Sequence, residues 1–134
     1  MYDENRLELV LMLLRVSVFA VMLIWTIDKF VNPAHGVAVY AHFYSIEGLE
    51  AQTMQILGAL ELIILAGFVT GLFKTFSYGA VLLFHAVSTL SSWQVYLQPF
   101  ADNHLLFFAA WPMLAACLAL FLLRESDTLL SLGK

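Results

Sequence analysis

Arg15, Glu61 and His85 are the ionisable residues that sit deep inside long apolar runs of this sequence. A charge at membrane depth is costly, so each must face protein or water and find a partner. Counted inward from the ends of their runs at about 1.5 Å per residue, Arg15 lies about 12 Å deep, Glu61 about 18 Å and His85 about 14 Å. These similar depths, on three different runs, point to one buried constellation. A guanidinium can hold a carboxylate through two parallel hydrogen bonds, and the expectation is an Arg15–Glu61 pair with His85 nearby. Two chemistries fit such a group. One is a charge pair that only fixes helix register; the other is a polar site that binds a quinone head group or relays protons, for which histidine's near-neutral titration is suited.

Around His85, the residues Tyr78, Ser88, Thr89, Ser92 and Tyr96 recur at three-, four- and seven-residue spacing. They form one stripe that must face protein or water and not lipid. A second cluster, Trp25, Asp28 and Lys29, closes the first apolar run. Trp and Lys are ordinary interfacial anchors, one by its amphipathic ring and the other by a stem that snorkels. Asp28 gains little from snorkelling and needs a donor. His35, His42 and His104, with Glu47, Glu50 and Asp102, collect on the polar connections. Their groups have the chemistry to bind copper or zinc, but their spacing matches no recognised ligand pattern, and no metal site is assigned. The lone Cys117 lies in an apolar run, where a thiol acts as a small hydrophobe.

These residues sit in a chain of 134 residues, 62% hydrophobic and only 12% charged, with a formal net charge of -4. That balance is far from the soluble norm, and the few scattered cations leave no basic stripe for nucleic acid. The acidic start and the lack of a small-residue cleavage site after the first run argue for retention of that helix. Four apolar stretches, about 7–30, 53–73, 76–97 and 104–123, each approach the roughly 20 residues needed to span a bilayer. In lipid, such spans must be helices.

The expected fold is all-α: residues 1–134 form a single transmembrane domain, an antiparallel integral membrane four-helix bundle. A longer external loop, about 31–52, joins helices 1 and 2, and a short interfacial helix is expected over 37–45. Asn32-Pro33, Gly71 with Lys74, and the segment 99–103 mark the breaks. Gly67 and Gly71 suit close helix packing, and Trp111-Pro112 predicts a kink in the last span. Arg6, Lys74, Arg124 and Lys134 fall on one side and Lys29 on the other. This excess places both termini in the cytoplasm, with the longer loop facing the periplasm of a bacterial inner membrane.

Leu13-Leu14-Arg15, Asp28-Lys29-Phe30 followed by Asn32-Pro33, Gly58-Ala59-Leu60-Glu61 and Gly71-Leu72 together resemble the DoxX-like family of small bacterial membrane proteins. The resemblance runs from about Leu13 to Leu123; Ser77-Tyr78-Gly79 through Ser91-Ser92-Trp93 is similar to uncharacterised members. It implies a four-helix membrane bundle and, in some relatives, association with quinone-linked oxidation of sulfur compounds or with membrane redox complexes. The family's first-helix arginine and second-helix glutamate correspond to Arg15 and Glu61. With one cysteine, the chain itself does not support two-thiol chemistry, and it has no helically spaced histidine pair for haem.

One expectation is an accessory or quinone-facing subunit of a membrane oxidoreductase, partnered with redox-complex subunits in the bilayer and with any flavin, nicotinamide or iron–sulfur group held by the partner. The alternatives are a non-catalytic membrane scaffold or assembly factor and a small transporter. The transporter would work as a homo-oligomer or around a narrow cavity.

Overall fold

In the computed structural model, residues 3–133 are described; their regular elements are all helices, with no strand among them. The chain runs through α1 (Glu4–Val31), α2 (Pro33–Tyr44), α3 (Ala51–Thr70), α4 (Lys74–Ser91), α5 (Trp93–Tyr96), α6 (His104–Phe107) and α7 (Ala110–Leu122). A single 3-10 turn, Arg124–Ser126, comes last. Three stretches are long and apolar enough to cross a membrane: Glu4–Val31, Ala51–Thr70 and His104–Leu122. Side chains such as Ile24, Ile63 and Leu106 stand exposed on them, as lipid-facing residues should.

The helix ends follow from local chemistry. Asp3 caps α1 by accepting a hydrogen bond from the Asn5 amide. Pro33 sits at the start of α2, where its missing N–H costs nothing. For that reason the short helix in the longer connection begins at Pro33, earlier than the expected 37–45. Gly71 ends α3 with φ +76°, a left-handed conformation that favours glycine.

At the expected kink before Pro112 the helix loosens over Phe108 and Ala109, both of which keep right-handed backbone angles. The proline ring cannot accept the carbonyl of Phe108 one turn earlier, so α6 and α7 are separated at Phe108–Ala109. The freed Phe108 carbonyl takes the Trp111 amide instead. The expected span 76–97 is likewise divided, because Ser92 interrupts the helix between α4 and α5.

α1 packs on α3, α3 on α4, and α4 on α7. Leu11 and Val18 of α1, Leu65 and Phe68 of α3, Val81 of α4 and Leu120 of α7 share one core. Small residues permit these approaches: Gly67 faces the Ser77 side chain and Gly79 faces Phe121. The small-residue step at Gly67 and Gly71 thus serves contacts within the chain. α4 is less apolar than its neighbours because its inward face carries Lys74, Ser77, Tyr78, His85 and Thr89, all buried. The polar stripe around His85 therefore faces protein, with Ser88 and Tyr96 at its half-buried margin.

Candidate functional site: two polar clusters at opposite ends

The expected Arg15–Glu61 pair does not form. Arg15 is buried against Asp127, with Nη1 donating to Oδ1 at 2.6 Å. Its Nη2 donates to the carbonyls of Leu129 at 2.6 Å and Leu130 at 3.0 Å. Tyr78 completes the carboxylate by donating its hydroxyl to Oδ2 at 2.6 Å, and the Lys74 ammonium donates to the Asp127 carbonyl at 2.5 Å. Arg15, Lys74, Tyr78 and Asp127 are all at most 3% exposed.

Helix register explains the correction. α1 has 28 residues, about 42 Å at 1.5 Å per residue, longer than a hydrocarbon core of about 30 Å. Its first turns therefore run past the ends of its neighbours, which brings Arg15 level with Lys74 and Tyr78 in the first turns of α4. Glu61 stands well away from that end, beside Thr26 and Lys29. Thr26 is 11 residues beyond Arg15 on α1, an axial offset of about 16 Å, too far for the two side chains to meet.

At this second level Glu61 Oε2 accepts from the Thr26 hydroxyl at 2.9 Å and from Lys29 Nζ at 3.2 Å. The pair is only partly covered, with Lys29 and Glu61 side chains 14% and 19% exposed. Tyr40 of α2 lies near enough to feel the carboxylate. Burial first, and then the Glu61 charge, push its phenol up to about 12, so its hydroxyl keeps its proton. Gly58, one turn before Glu61, leaves room for the Phe30 ring and the Lys29 stem against α3, and this draws α1 and α3 close enough for the ion pair.

The residues grouped at the end of the first span thus separate. Lys29 goes to Glu61, Asp28 accepts from His35 Nδ1 at 2.5 Å, and Trp25 stacks on His85 with ring centroids 6.1 Å apart. His85 is buried and donates from Nε2 to the Ala110 carbonyl at 2.9 Å, while its Nδ1 has no partner in the chain. It joins neither Arg15 nor Glu61 in a hydrogen bond; it ties α4 to the first turn of α7, just after the loosened turn in the last span. Sequence depth placed Arg15, Glu61 and His85 together. The structure distributes them over three separate contacts.

The loop histidines also part. His35 is bound to Asp28, and His104 donates from Nδ1 to the Gln98 carbonyl at 2.6 Å. His42 and His104 share an open groove of about 520 Å3 with Trp93, Gln94 and Gln98. Among the described residues no three His, Cys, Asp or Glu side chains gather as a metal-binding group. Cys117 is buried and free, packed in the core as a hydrophobe.

Asp127 is the residue that sequence reading missed. Lying after the last apolar run, it reads as a solvated loop carboxylate. Its C-terminal neighbours carried a signal: Leu129, Leu130 and Leu132 are apolar residues that an unattached polar segment does not need. Comparison with known protein families, curated proteins and solved structures returns no match.

Proposed function

We propose that this chain crosses the bacterial inner membrane four times, as an antiparallel bundle of the DoxX-like kind, and serves as an accessory subunit that presents a quinone head-group site to a membrane oxidoreductase. In this reading α4 is the fourth crossing, admitted to lipid because its polar groups point inward. The cations Arg6, Lys74 and Arg124 place the α3–α4 turn and the N-terminus in the cytoplasm and leave α2 outside. Lys134, counted with them in the sequence, lies outside the described residues.

The observation that carries the reading is the partly exposed Lys29–Glu61 pair beside Tyr40 at the α2 end. A quinone ring offers two carbonyl acceptors and an apolar body. Lys29 has donors to spare beyond its bond to Glu61, Tyr40 has a protonated hydroxyl, and the exposed Ile27 and Ile63 supply apolar surface on the same two helices. Lys29 and Tyr40 orient the head group by donating to its oxygens. Glu61 holds Lys29 in place through the hydrogen bond its carboxylate accepts. No residue here carries electrons, so the chain binds and positions while its partner performs the redox step.

Titration of the protein in lipid nanodiscs with a short-chain ubiquinone analogue tests this. The expected result is saturable binding that weakens at least tenfold in Lys29→Leu and is altered in Glu61→Gln, both retaining native helicity. Absence of saturable binding, or equal affinity in wild type and both variants, removes the quinone role. The second reading, a non-catalytic scaffold, would then stand, favoured by how little of the chain lies outside its helices.

A further inference from the structure

The cluster at the other end has an imbalance that a simple charge pair lacks. Arg15 and Lys74 contribute two positive charges and Asp127 one negative, which leaves one uncompensated positive charge among the described residues, all three being buried. Arg15 Nε is also buried without a partner. An uncompensated buried charge is unfavourable, so the group is matched to an anion of higher charge than one aspartate.

The segment that supplies Asp127 is held chiefly through polar contacts and buries little apolar surface. Across residues 124–133 Asp127 alone is buried. Leu130 is held at φ +52°, a left-handed conformation unfavourable for a residue with a Cβ, and it and Leu132 are about three-quarters exposed. The two ends of this strap rest on the Arg124–Thr75 hydrogen bond, the Leu132 amide on the Thr70 carbonyl, and Ser131 and Gly133 against Gly71 and Leu72; its middle is held by Tyr78 on Asp127 and by the groups that Arg15 and Lys74 grip. These are the same donors that an incoming anion would use.

We infer that Arg15, Lys74 and Tyr78 form a phosphate-binding site that the chain's own Asp127 occupies in this structure, and that a phosphate-bearing ligand takes the site by lifting the 124–133 strap. A phosphate monoester dianion matches the two cations, and its oxygens can take the fork of Arg15, the Lys74 ammonium and the Tyr78 hydroxyl together. The exchange is non-covalent: Asp127 leaves as a carboxylate to water. The site lies beside the turn between α3 and α4, which carries the exposed Phe73 and Phe76, so once the strap lifts the phosphate can come from an anionic lipid head group or from a free phosphate. This inference is independent of the quinone reading at the other end.

The test uses the full chain in nanodiscs and follows proteolytic cleavage at Leu129–Leu130. Phosphatidic acid is compared with phosphatidylcholine, and inorganic phosphate is titrated separately into phosphatidylcholine nanodiscs. The inference expects cleavage at least fivefold faster with a phosphate monoester. Acceleration by phosphatidic acid alone assigns a lipid source; acceleration by inorganic phosphate as well assigns phosphate of either source. Asp127→Asn, which removes the competing carboxylate, should bind phosphatidic acid at least tenfold more tightly by native mass spectrometry and regain thermal stability on binding, whereas Arg15→Gln should show no selective binding. If Asp127→Asn does not fold, the wild-type cleavage comparison decides. Equal cleavage in all lipids and phosphate concentrations overturns the inference and leaves the cluster a permanent lock.

Discussion

The two polar clusters are built from similar groups, a cation and a carboxylate with a hydroxyl donor, yet they differ in burial and in what holds them. At the strap end, Arg15 and Asp127 are 1% and 0% exposed, and both carboxylate oxygens are taken by side-chain donors. At the α2 end, Lys29 and Glu61 remain in reach of solvent or ligand, and one carboxylate oxygen carries both hydrogen bonds. A fully buried pair is expensive to break because the survivor is left charged in a poor solvent; in a partly covered pair the survivor keeps some access to other polar groups, and the cost is smaller. The difference separates a group that can meet a ligand only when its strap lifts from one that can meet a ligand as it stands.

The largest expected effect breaks the strap end. Asp127→Ala strands Arg15 and Lys74 and should cost about 3–5 kcal/mol, seen as a lower melting temperature and reduced yield in detergent. Tyr78→Phe removes one donor to a buried carboxylate and should cost about 1–3 kcal/mol by the same measurement. Gly71→Ala should cost about 1–2 kcal/mol for its left-handed backbone, and because its new methyl meets Ser131 it should also speed proteolysis of the 124–133 segment. Glu61→Gln keeps the shape and leaves Lys29 able to reach water, so its cost should be only about 1 kcal/mol; an effect as large as that of Asp127→Ala would erase the distinction between the ends. The smallest effect belongs to His35→Ala. The His35–Asp28 contact is exposed on both sides, and its loss should shift stability by less than about 0.5 kcal/mol.

The all-helical character was legible because apolar runs of span length leave no other solution in lipid. The breaks at Asn32-Pro33 and Gly71 were legible because each acts through a local backbone rule, and Pro112 announced a kink, whereas the interruption at Ser92 carries no such signal. The inward stripe on α4 followed from helical spacing alone. Pairing was less accessible. Depth within a run depends on where its helix meets the bilayer, and α1 extends past its neighbours, which moved Arg15 a full layer away from Glu61. Asp127 escaped because its partners are 112 and 49 residues distant in the chain, and no local spacing encodes a segment that folds back. Trp25, Asp28 and Lys29 are neighbours in sequence, but each side chain is committed to a different element.

Thermal unfolding of Asp127→Asn beside Glu61→Gln, in the same detergent and without added phosphate, tests the unequal stakes of the two ends most directly. The expected result is a melting temperature for Asp127→Asn depressed several times further than that of Glu61→Gln. Equal depression, or a greater loss in Glu61→Gln, would contradict the unequal burial of the two ends as the source of their difference.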